Sequence, residues 1–408
     1  MPHTIDTTTA AGELPEIVMG RVKDFLPFLD AEEILQLLRA LQGIFAREIE
    51  WAEALANRET SLRRAITEAS TYPVLKTIHD DLNALEMDRF LKIQSVPALH
   101  ASCTEYRDML AKRAVELVTR ELAEGGKITP AVPLALISMG SDGREEQTLI
   151  TDQDYLIVYG DGGDDDVDGY FKEFSELLVE RMAEIGFKKC TGDIMPSNPT
   201  WRGSLSQWRK KLLSIVRYEF DDYAKNLMDL IVLSDARYVA GDRELADTLI
   251  RMIRGLEQDY FQVLWGMAKA ATEMKLALGF LKRIWTEGSG EHKGEFNLKL
   301  LAWAPLVMNV RILAINQGIP ATSTVQRIDL LEAEKSFSAA TAAGLRDAYH
   351  IMTKHRILLQ IKVIKGIQKD SYYLNPYELP TDERERLRHA LLKIEELQKI
   401  IHTNFSIM

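Results

Sequence analysis

Cysteine and long apolar runs are both scarce in this 408-residue sequence. Cys103 and Cys190 are the only two cysteines, too few for a framework of disulfides. No apolar run reaches the roughly 20 residues that cross a bilayer. Residues 1–13 are polar and rich in threonine, without the apolar core of a secretion signal. These absences predict a cytoplasmic protein that does not enter a membrane.

An excess of positive charge is also lacking, because 61 acidic side chains outnumber 50 basic ones and leave a formal net charge of −11. Non-specific nucleic-acid binding depends on Lys and Arg side chains that neutralise phosphates, so we do not expect nucleic acid as a partner. Hydrophobic residues make up 46% of the chain, which is ordinary for a folded protein, and the length allows two or three domains.

The apolar pattern divides the chain into three zones, 1–98, 99–241 and 242–408. The first is apolar at helical spacing, and Asp30 is the expected N-cap of a long helix. The second alternates strands with helices, and the third is helical again. We therefore predict an α+β fold with a small mixed-sheet core flanked by N-terminal and C-terminal helical domains.

Three apolar runs in the middle zone predict buried strands, at 134–139, 155–159 and 228–233. Helical spacing and end signals predict the clearest helices at 99–124, 167–185, 205–216, 298–317, 339–368 and 382–405.

The segment between the first two strands has the composition of a phosphate and metal site. A buried strand runs into Gly140-Ser141, a polar turn follows, and Asp152 and Asp154 open the next strand. Side chains at i and i+2 of a strand point the same way, so both carboxylates can hold metal ions for phosphoryl chemistry. Gly140 allows close approach of backbone to a phosphate, Ser141 can donate to it, and Arg144 can neutralise it.

This segment resembles the signature of nucleotidyltransferases of the DNA polymerase beta superfamily: Gly-Ser, a ten-residue gap, then paired acids. More narrowly, Gly-Ser-x-Gly-Arg-x-Glu-Gln-Thr-Leu-x-Thr-Asp-Gln-Asp at 140–154 is similar to bacterial proteins related to the uridylyltransferase of the nitrogen-regulatory PII protein. Glutamine-synthetase adenylyltransferases are more distant relatives. The resemblance extends from about Leu99 to the end, through Asn297-Leu298-Lys299, and its C-terminal part is similar to the group's substrate-binding helical domain.

The resemblance implies transfer of a nucleoside monophosphate from UTP or ATP to a hydroxyl, on a regulatory protein. Asp152 and Asp154 would bind two magnesium ions, while Gly140, Ser141 and Arg144 would seat the triphosphate. The C-terminal helices would present the acceptor. Resemblance to the group's third-acid strand makes Asp235 the third catalytic carboxylate, and Asp229, on the same face of the predicted strand, is the alternative. The oligomeric state stays open.

Two departures from the group support another class of function. Tyr155 replaces a usual Asn, and Glu145 stands where a small or basic residue is common. An extra acid beside a triphosphate would weaken its binding, so the alternative is a nucleotide-binding regulatory module without turnover. A third option is a nucleotidyltransferase of small molecules or RNA, and the acidic composition argues against RNA.

Four other patterns allow simpler interpretations. His79-Asp80 is a dipeptide of metal phosphohydrolases, but further ligands are missing, so a surface or capping pair is expected. Five acids between 161 and 168 predict a solvated loop. Trp201-Arg202 and Trp208 with its following bases form either core tryptophans beside a basic face or a stacking and phosphate site. A basic stripe predicts a solvated face or one turned toward a nucleotide or acidic partner: Lys354, Arg356, Lys362, Lys365 and Lys369.

Overall fold

The structure is a computed structural model of the chain, and it describes residues 19–407 except 21, 25, 163–165, 217–222 and 260. The chain divides into two units, 1–61 and 62–408. The domain boundaries predicted at 98 and 241 both fall within the second unit, and they stay predictions.

In the first unit, helix α1 (Ala31–Glu68) begins at the predicted N-cap and continues past the unit boundary. The Asp30 carboxylate accepts the backbone N–H groups of Glu32 and Glu33, both at 2.9 Å. The Glu33 carboxylate accepts the Asp30 N–H in return, also at 2.9 Å. This reciprocal box satisfies backbone donors that a helix start leaves without partners, and it confirms the predicted N-cap.

The described part of the second unit is built mainly from helices around small sheets. Its further helices are α2 Tyr72–Ile93, α3 Val96–Glu124, α4 Gly140–Gly143, α5 Val167–Ile185, α6 Leu205–Val216, α7 Tyr223–Leu233, α8 Arg243–Asp259, α9 Phe261–Thr272, α10 Ala304–Asn316, α11 Thr324–Ala333, α12 Ala339–Ile364 and α13 Thr381–Asn404. Its strands are β1 Leu134–Ser138, β2 Asp152–Gln153, β3 Tyr155–Tyr159, β4 Lys188–Lys189, β5 Arg202–Ser204, β6 Arg237–Gly241, β7 Phe296–Asn297 and β8 Tyr373–Leu374.

The central sheet has the strand order β5-β3-β1-β6. Strand β1 is antiparallel to β3 and β6, whereas β3 and β5 are parallel. With helical segments before and after this small mixed sheet, the predicted α+β class is confirmed. The β1–β3 register pairs Ser138 with Tyr155, which brings the residues after β1 beside the residues before β3.

The strand predicted at 228–233 is wrong, because these residues belong to helix α7. Leu227, Leu230 and Ile231 are buried while Met228 is 57% exposed, which is the spacing of a helix with one face in the core. A short apolar run is compatible with either element, and periodicity alone does not separate them. The strand parity that made Asp229 an alternative to Asp235 is therefore lost.

His79 is a core residue, which corrects the predicted surface or capping pair. Its side chain is 2% exposed and stacks on Phe187 with ring centroids 5.1 Å apart. Burial and the neighbouring Arg107 lower the pKa of His79 to about 3, so the ring is neutral and Nδ1 donates to the Ile185 carbonyl at 3.1 Å. Asp80 is exposed and forms an ion pair with Lys76, as expected.

The segment Lys299–Asn316, which contains α10, is long and apolar enough to cross a membrane by length and composition. Its residues are 72% buried inside the protein. That burial is typical of a core helix in a folded domain, which is apolar on all sides because all sides contact the protein interior.

Candidate functional site

The two central aspartates lie at the corner where β1 meets β3. Asp152 belongs to β2, and Asp154 lies between β2 and β3. The backbone N–H of Met139, just after β1, donates to the Asp154 carbonyl at 2.8 Å. The short helix α4 starts immediately beyond Met139, so the Gly140-Ser141 turn stands next to the acidic pair.

Gln153 shows which way the two neighbouring carboxylates point. Its amide donates to the carbonyls of Val179 and Phe187, at 3.1 Å each, and its side chain is fully buried. Because successive side chains on an extended chain alternate, Asp152 and Asp154 share the opposite face. Each of them is half-buried.

Gly140 is required by the position of Asp154. Its φ is +58°, and a Cβ at this position would lie 2.5 Å from Oδ2 of Asp154. The sequence predicted that the glycine lets a phosphate approach the backbone. In the structure, the group that lies against the backbone of Gly140 is the Asp154 carboxylate. Ser141 follows within the same turn and is half-buried.

Negative charge is concentrated around Asp154. Burial raises the pKa of Asp154 to about 6, although a hydrogen bond from the half-buried Cys190 thiol opposes this. The carboxylates of Asp152 and Asp142 raise it further. A cation bound at Asp154 would relieve both the burial of its charge and the repulsion from its neighbours.

The carboxylate pair fits a magnesium ion that arrives with its substrate. Among the described residues, no group of three or more His, Cys, Asp or Glu side chains is placed to hold a metal. Mg²⁺ commonly uses one or two carboxylates and completes its shell with waters and substrate phosphates. Asp152 and Asp154 meet that requirement, whereas a closed protein cage would need more ligands.

Asp235 lies in a different setting from the one expected for a third catalytic carboxylate. It sits between α7 and β6, is 0% exposed, and accepts hydrogen bonds from three arginines. Nη1 of Arg144 lies 2.5 Å from Oδ2, Nη1 of Arg327 lies 3.1 Å from Oδ1, and Arg311 binds both oxygens. Burial alone would raise the pKa of Asp235, but the arginines hold it below its usual value.

Arg144 belongs to the same buried cluster. It is 4% exposed and donates to Glu146 at 2.8 Å as well as to Asp235. The other oxygen of Glu146 accepts the backbone N–H of Thr324 at 2.7 Å, at the first residue of α11. The structure thus brings Gly140, Ser141 and the Asp152–Asp154 pair together, and it places Arg144 and Asp235 in a neighbouring ion-pair cluster.

Two residues of the C-terminal region, Lys299 and Tyr372, lie within electrostatic range of Asp152 without having been predicted there. The pairing of β7 with β8 and a bond from the Leu298 N–H to the Tyr372 carbonyl, 2.8 Å, bring Lys299 beside Tyr372. Nζ of Lys299 lies 5.0 Å from the centre of the Tyr372 ring. Burial and Arg356 lower the pKa of Lys299, and the carboxylates of Asp152 and Asp154 oppose this.

The predicted basic stripe splits into one half-buried arginine, whose guanidinium is partly buried, and lysines that are half-buried or exposed. The guanidinium of Arg356 lies 4.5 Å from the centre of the Trp303 ring, with Nε and Nη1 buried. Lys354 forms an ion pair with Glu383 at 3.2 Å. Lys362, Lys365 and Lys369 are exposed. The spacing of basic residues along a helix does not show which of them is buried, so the pattern did not separate Arg356 from the lysines.

The two departures from the resembling group lie in different environments, since Glu145 is exposed and Tyr155 is buried. Glu145 is exposed, with φ of +59°, and lines a separate cavity of about 530 Å³ together with His100, Asp108 and Tyr349. Tyr155 is 1% exposed, and burial and the Asp142 carboxylate raise its pKa. Of the two departures only Glu145 adds an acid, and its effect on a bound triphosphate stays a prediction.

The two tryptophans of the middle zone are core residues. Trp201 and Trp208 are 3% and 1% exposed, and Nε1 of Trp208 donates to the Ile157 carbonyl at 3.0 Å. Trp208 and Lys211 line a cavity of about 490 Å³ beside Tyr159, at the opposite end of β3 from Asp154. This placement favours the core interpretation over base stacking at the acidic pair.

The acids between 161 and 168 that the structure describes, Asp161, Asp166 and Asp168, are exposed, as predicted for a solvated stretch, and two of them also accept hydrogen bonds. Asp161 accepts the Ser206 N–H at 2.9 Å and the Ser204 hydroxyl at 2.7 Å. Asp168 accepts the Tyr159 hydroxyl at 2.6 Å. Residues 163–165 of this stretch lie outside the described part of the chain.

We expect Gly140→Ala to lower stability and to abolish binding of Mn²⁺, which serves as a probe in place of Mg²⁺ at Asp152 and Asp154. A positive φ costs a side chain about 1–2 kcal/mol, and the new methyl would displace the Asp154 carboxylate. Gly126→Ala is the matched control, because Gly126 has φ of +84° and open space around its Cβ position. Thermal unfolding and calorimetric titration with MnCl₂ measure both effects. Retained Mn²⁺ binding in Gly140→Ala would contradict the assignment of Asp154.

We expect Asp235→Ala to cost about 3–5 kcal/mol of unfolding free energy, because three buried guanidiniums lose their common partner. Asp329→Ala removes a half-exposed partner of Arg346 and should cost less than about 1 kcal/mol. Urea unfolding of both variants gives the comparison. Equal losses in the two variants would show that the buried cluster does not stabilise the fold as described.

Comparison with known families agrees with the residues of this site. A family described as "Putative nucleotidyltransferase DUF294" matches residues 81–221, which include Gly140, Asp152 and Asp154. A second, described as "Putative nucleotidyltransferase substrate binding domain", matches residues 261–405, which include Lys299 and Arg356.

Curated relatives carry a related description. The "Bifunctional glutamine synthetase adenylyltransferase/adenylyl-removing enzyme" of Bifidobacterium longum strains DJO10A and NCC 2705 is 24% identical over 275 residues, which cover 65% of this chain and 25% of each relative. This chain therefore spans about a quarter of the length of these relatives. The two family matches, in this order, identify residues 81–221 as a domain of the nucleotidyltransferase family and residues 261–405 as its substrate-binding domain.

Proposed function

We propose that this protein transfers a nucleoside monophosphate from UTP or ATP to a hydroxyl group, with magnesium held by Asp152 and Asp154. The observation that carries the proposal is the placement of these two carboxylates on one face, against the Gly140 turn. Two-metal phosphoryl transfer needs paired carboxylates at such a position. Magnesium bound there would neutralise charge on the triphosphate and on the leaving pyrophosphate.

The chain's own residues divide the remaining work. Asp152 and Asp154 orient the donor through the ions that they hold. The Gly140-Ser141 turn offers backbone and hydroxyl donors beside the phosphates. Arg144 contributes positive charge from its buried position, since it lowers the pKa of Asp154 while bonded to Glu146 and Asp235.

The role of Asp235 in activating the acceptor remains a proposal with a structural cost. Both of its oxygens are occupied by guanidinium groups, so accepting a proton from a hydroxyl would require at least one ion pair to open. Its contacts favour a positioning role, in which Asp235 holds Arg311 of α10 and Arg327 of α11 against the turn that carries Arg144.

A hydroxyl of a regulatory protein is the acceptor that we propose. The support is that the similar Bifidobacterium longum enzymes are adenylyltransferases of a protein, glutamine synthetase. The net charge of −11 favours a protein or a small molecule over RNA as acceptor. A cytoplasmic location agrees with the few cysteines, because cytoplasmic thiols are kept reduced.

A nucleotide-binding regulatory module without turnover is the second candidate. The sequestration of Asp235 favours it, because the carboxylate expected to act as the base is held by three arginines. Binding of a magnesium–triphosphate complex needs only the pair and the turn. The two candidates differ in whether a labelled product forms.

The deciding experiment incubates the protein with α-labelled ATP or UTP, Mg²⁺ and an extract of the source cells. We expect label to move onto a macromolecule or metabolite, and we expect Asp152→Asn and Asp154→Asn to reduce transfer at least about a hundredfold, since metal ligation is lost. Asp347→Asn, an exposed acid of α12, is the control and should retain activity. Nucleotide binding without any labelled product would favour the regulatory module.

Asp154→Asn should also change stability in a pH-dependent way. The pKa of Asp154 is raised to about 6 in the fold, so its proton is bound more tightly there than in the unfolded chain, and the charged form costs stability above pH 6. Without metal, the variant should melt higher than the wild type at pH 8, and the difference should shrink as the pH falls from about 6 toward the ordinary pKa of 3.8. With MnCl₂ at pH 8, only the wild type should gain stability. Identical melting curves without metal would contradict this account.

A further inference from the structure

The C-terminal region contributes two cations, Lys299 and Arg356, which lie against the aromatic rings of Tyr372 and Trp303. Lys299 comes from the π-helical turn Lys299–Trp303 and Arg356 from the middle of α12. The charges of Asp152 and Asp154 act on Lys299, and those of Asp152 and Arg356 both act on the hydroxyl of Tyr372. Lys299 therefore lies within electrostatic range of carboxylates more than 140 positions earlier in the chain. The Trp303 ring, which lies against both Arg356 and Arg144, connects Arg356 to the turn after β1.

These opposite charges face each other without direct pairing. Within the described part of the chain, neither Lys299 nor Arg356 forms an ion pair with a carboxylate. The same holds for Asp152 and Asp154 with any basic side chain there. A ligand that is positive toward the acids and negative toward the cations would satisfy both sets of charges.

Of the two cations, Arg356 is the one whose buried hydrogen-bond donors lack an acceptor among the described residues. These donors are Nε and Nη1 of its guanidinium. The Trp303 ring holds the guanidinium on one side, and Arg144 lies over the same ring at 5.4 Å. A buried guanidinium with unpartnered donors is costly, and its planar fork matches the oxygens of a phosphate.

A magnesium triphosphate has the charge pattern that these acids and cations require. Its metal ions present positive charge to carboxylates, and its phosphate tail presents negative oxygens on the other side. We propose that Lys299 and Arg356 bind the phosphate tail of the donor nucleotide, so that the C-terminal domain is a binding site for the donor. This inference rests on the proposed function, and it differs from the expectation that the C-terminal helices serve only to present the acceptor.

The structure explains why two separate elements supply these cations. Lys299 is held by the β7–β8 pair and lies against Tyr372, whereas Arg356 is held by Trp303. The Asp235 cluster ties α10 and α11 to the turn that follows β1. The donor phosphates would therefore bridge the core domain and the C-terminal domain, and the domains would form one site.

Inorganic tripolyphosphate with Mg²⁺ is the probe, because it carries the charge pattern without a base whose preference is unknown. Calorimetric titration compares the wild type with Lys299→Met, Arg356→Met and Arg356→Lys. We expect about tenfold to hundredfold weaker binding in the two methionine variants and a smaller loss in Arg356→Lys, which keeps the charge but loses the fork. Lys365→Met, an exposed lysine just after α12, should bind as the wild type does.

Thermal melting identifies any variant that fails to fold, and Lys299→Met at the half-buried turn then carries the test, since Arg356 is the more buried of the two. Unchanged tripolyphosphate binding in folded Lys299→Met, or no binding by the wild type, would overturn the inference. The assay of labelled transfer separates the two proposals. If the wild type transfers label and the variants still bind tripolyphosphate normally, phosphate binding by Lys299 and Arg356 is rejected and the enzyme proposal stands. If the variants lose binding and the wild type transfers no label, the enzyme proposal is rejected and phosphate binding by Lys299 and Arg356 stands.

Discussion

One carboxylate with three buried arginines is the interaction on which the arrangement of the second unit depends. Asp235 binds Arg144 from the turn after β1, Arg311 from α10 and Arg327 from α11, all of them at most 7% exposed. Three guanidiniums cannot be left in the interior without a counter-charge, so the core sheet and the C-terminal helices must meet at this point. This junction also holds Trp303, which directly precedes α10, against Arg144, and Trp303 in turn contacts Arg356.

The cluster around Asp235 and the pair Asp152 and Asp154 differ in how their charges are compensated. At Asp235 the charges are paired and saturated with hydrogen bonds, which gives a rigid junction. At Asp152 and Asp154 the carboxylates crowd one another, and the nearest cations of the C-terminal domain do not close onto them. Charges left unsatisfied in this way mark a site that a ligand completes, and they cost stability until it does.

Local features of the chain were predictable where one short-range rule dominated. The capping box at Asp30, the helix at Val167–Ile185 and the strand at Tyr155–Tyr159 follow from side-chain chemistry and periodicity within a few residues. The run at 228–233 was misassigned because its apolar content suits either a strand or a helix, and packing against neighbours decides between them. His79 was misplaced for a related reason: its burial depends on Phe187 and the Ile185 carbonyl, more than 100 residues away.

The sequence by itself determined the acidic pair, its glycine turn and the alternation that puts Asp152 and Asp154 on one face, because these depend on neighbours in the chain. Only the tertiary structure decided what surrounds them. It turned Asp235 into the partner of three arginines, separated Arg356 from a stripe of surface lysines, and placed Lys299 opposite the aspartates. Each of these outcomes depends on charges distant in sequence that become neighbours through packing, and no local pattern encodes their distance or their burial.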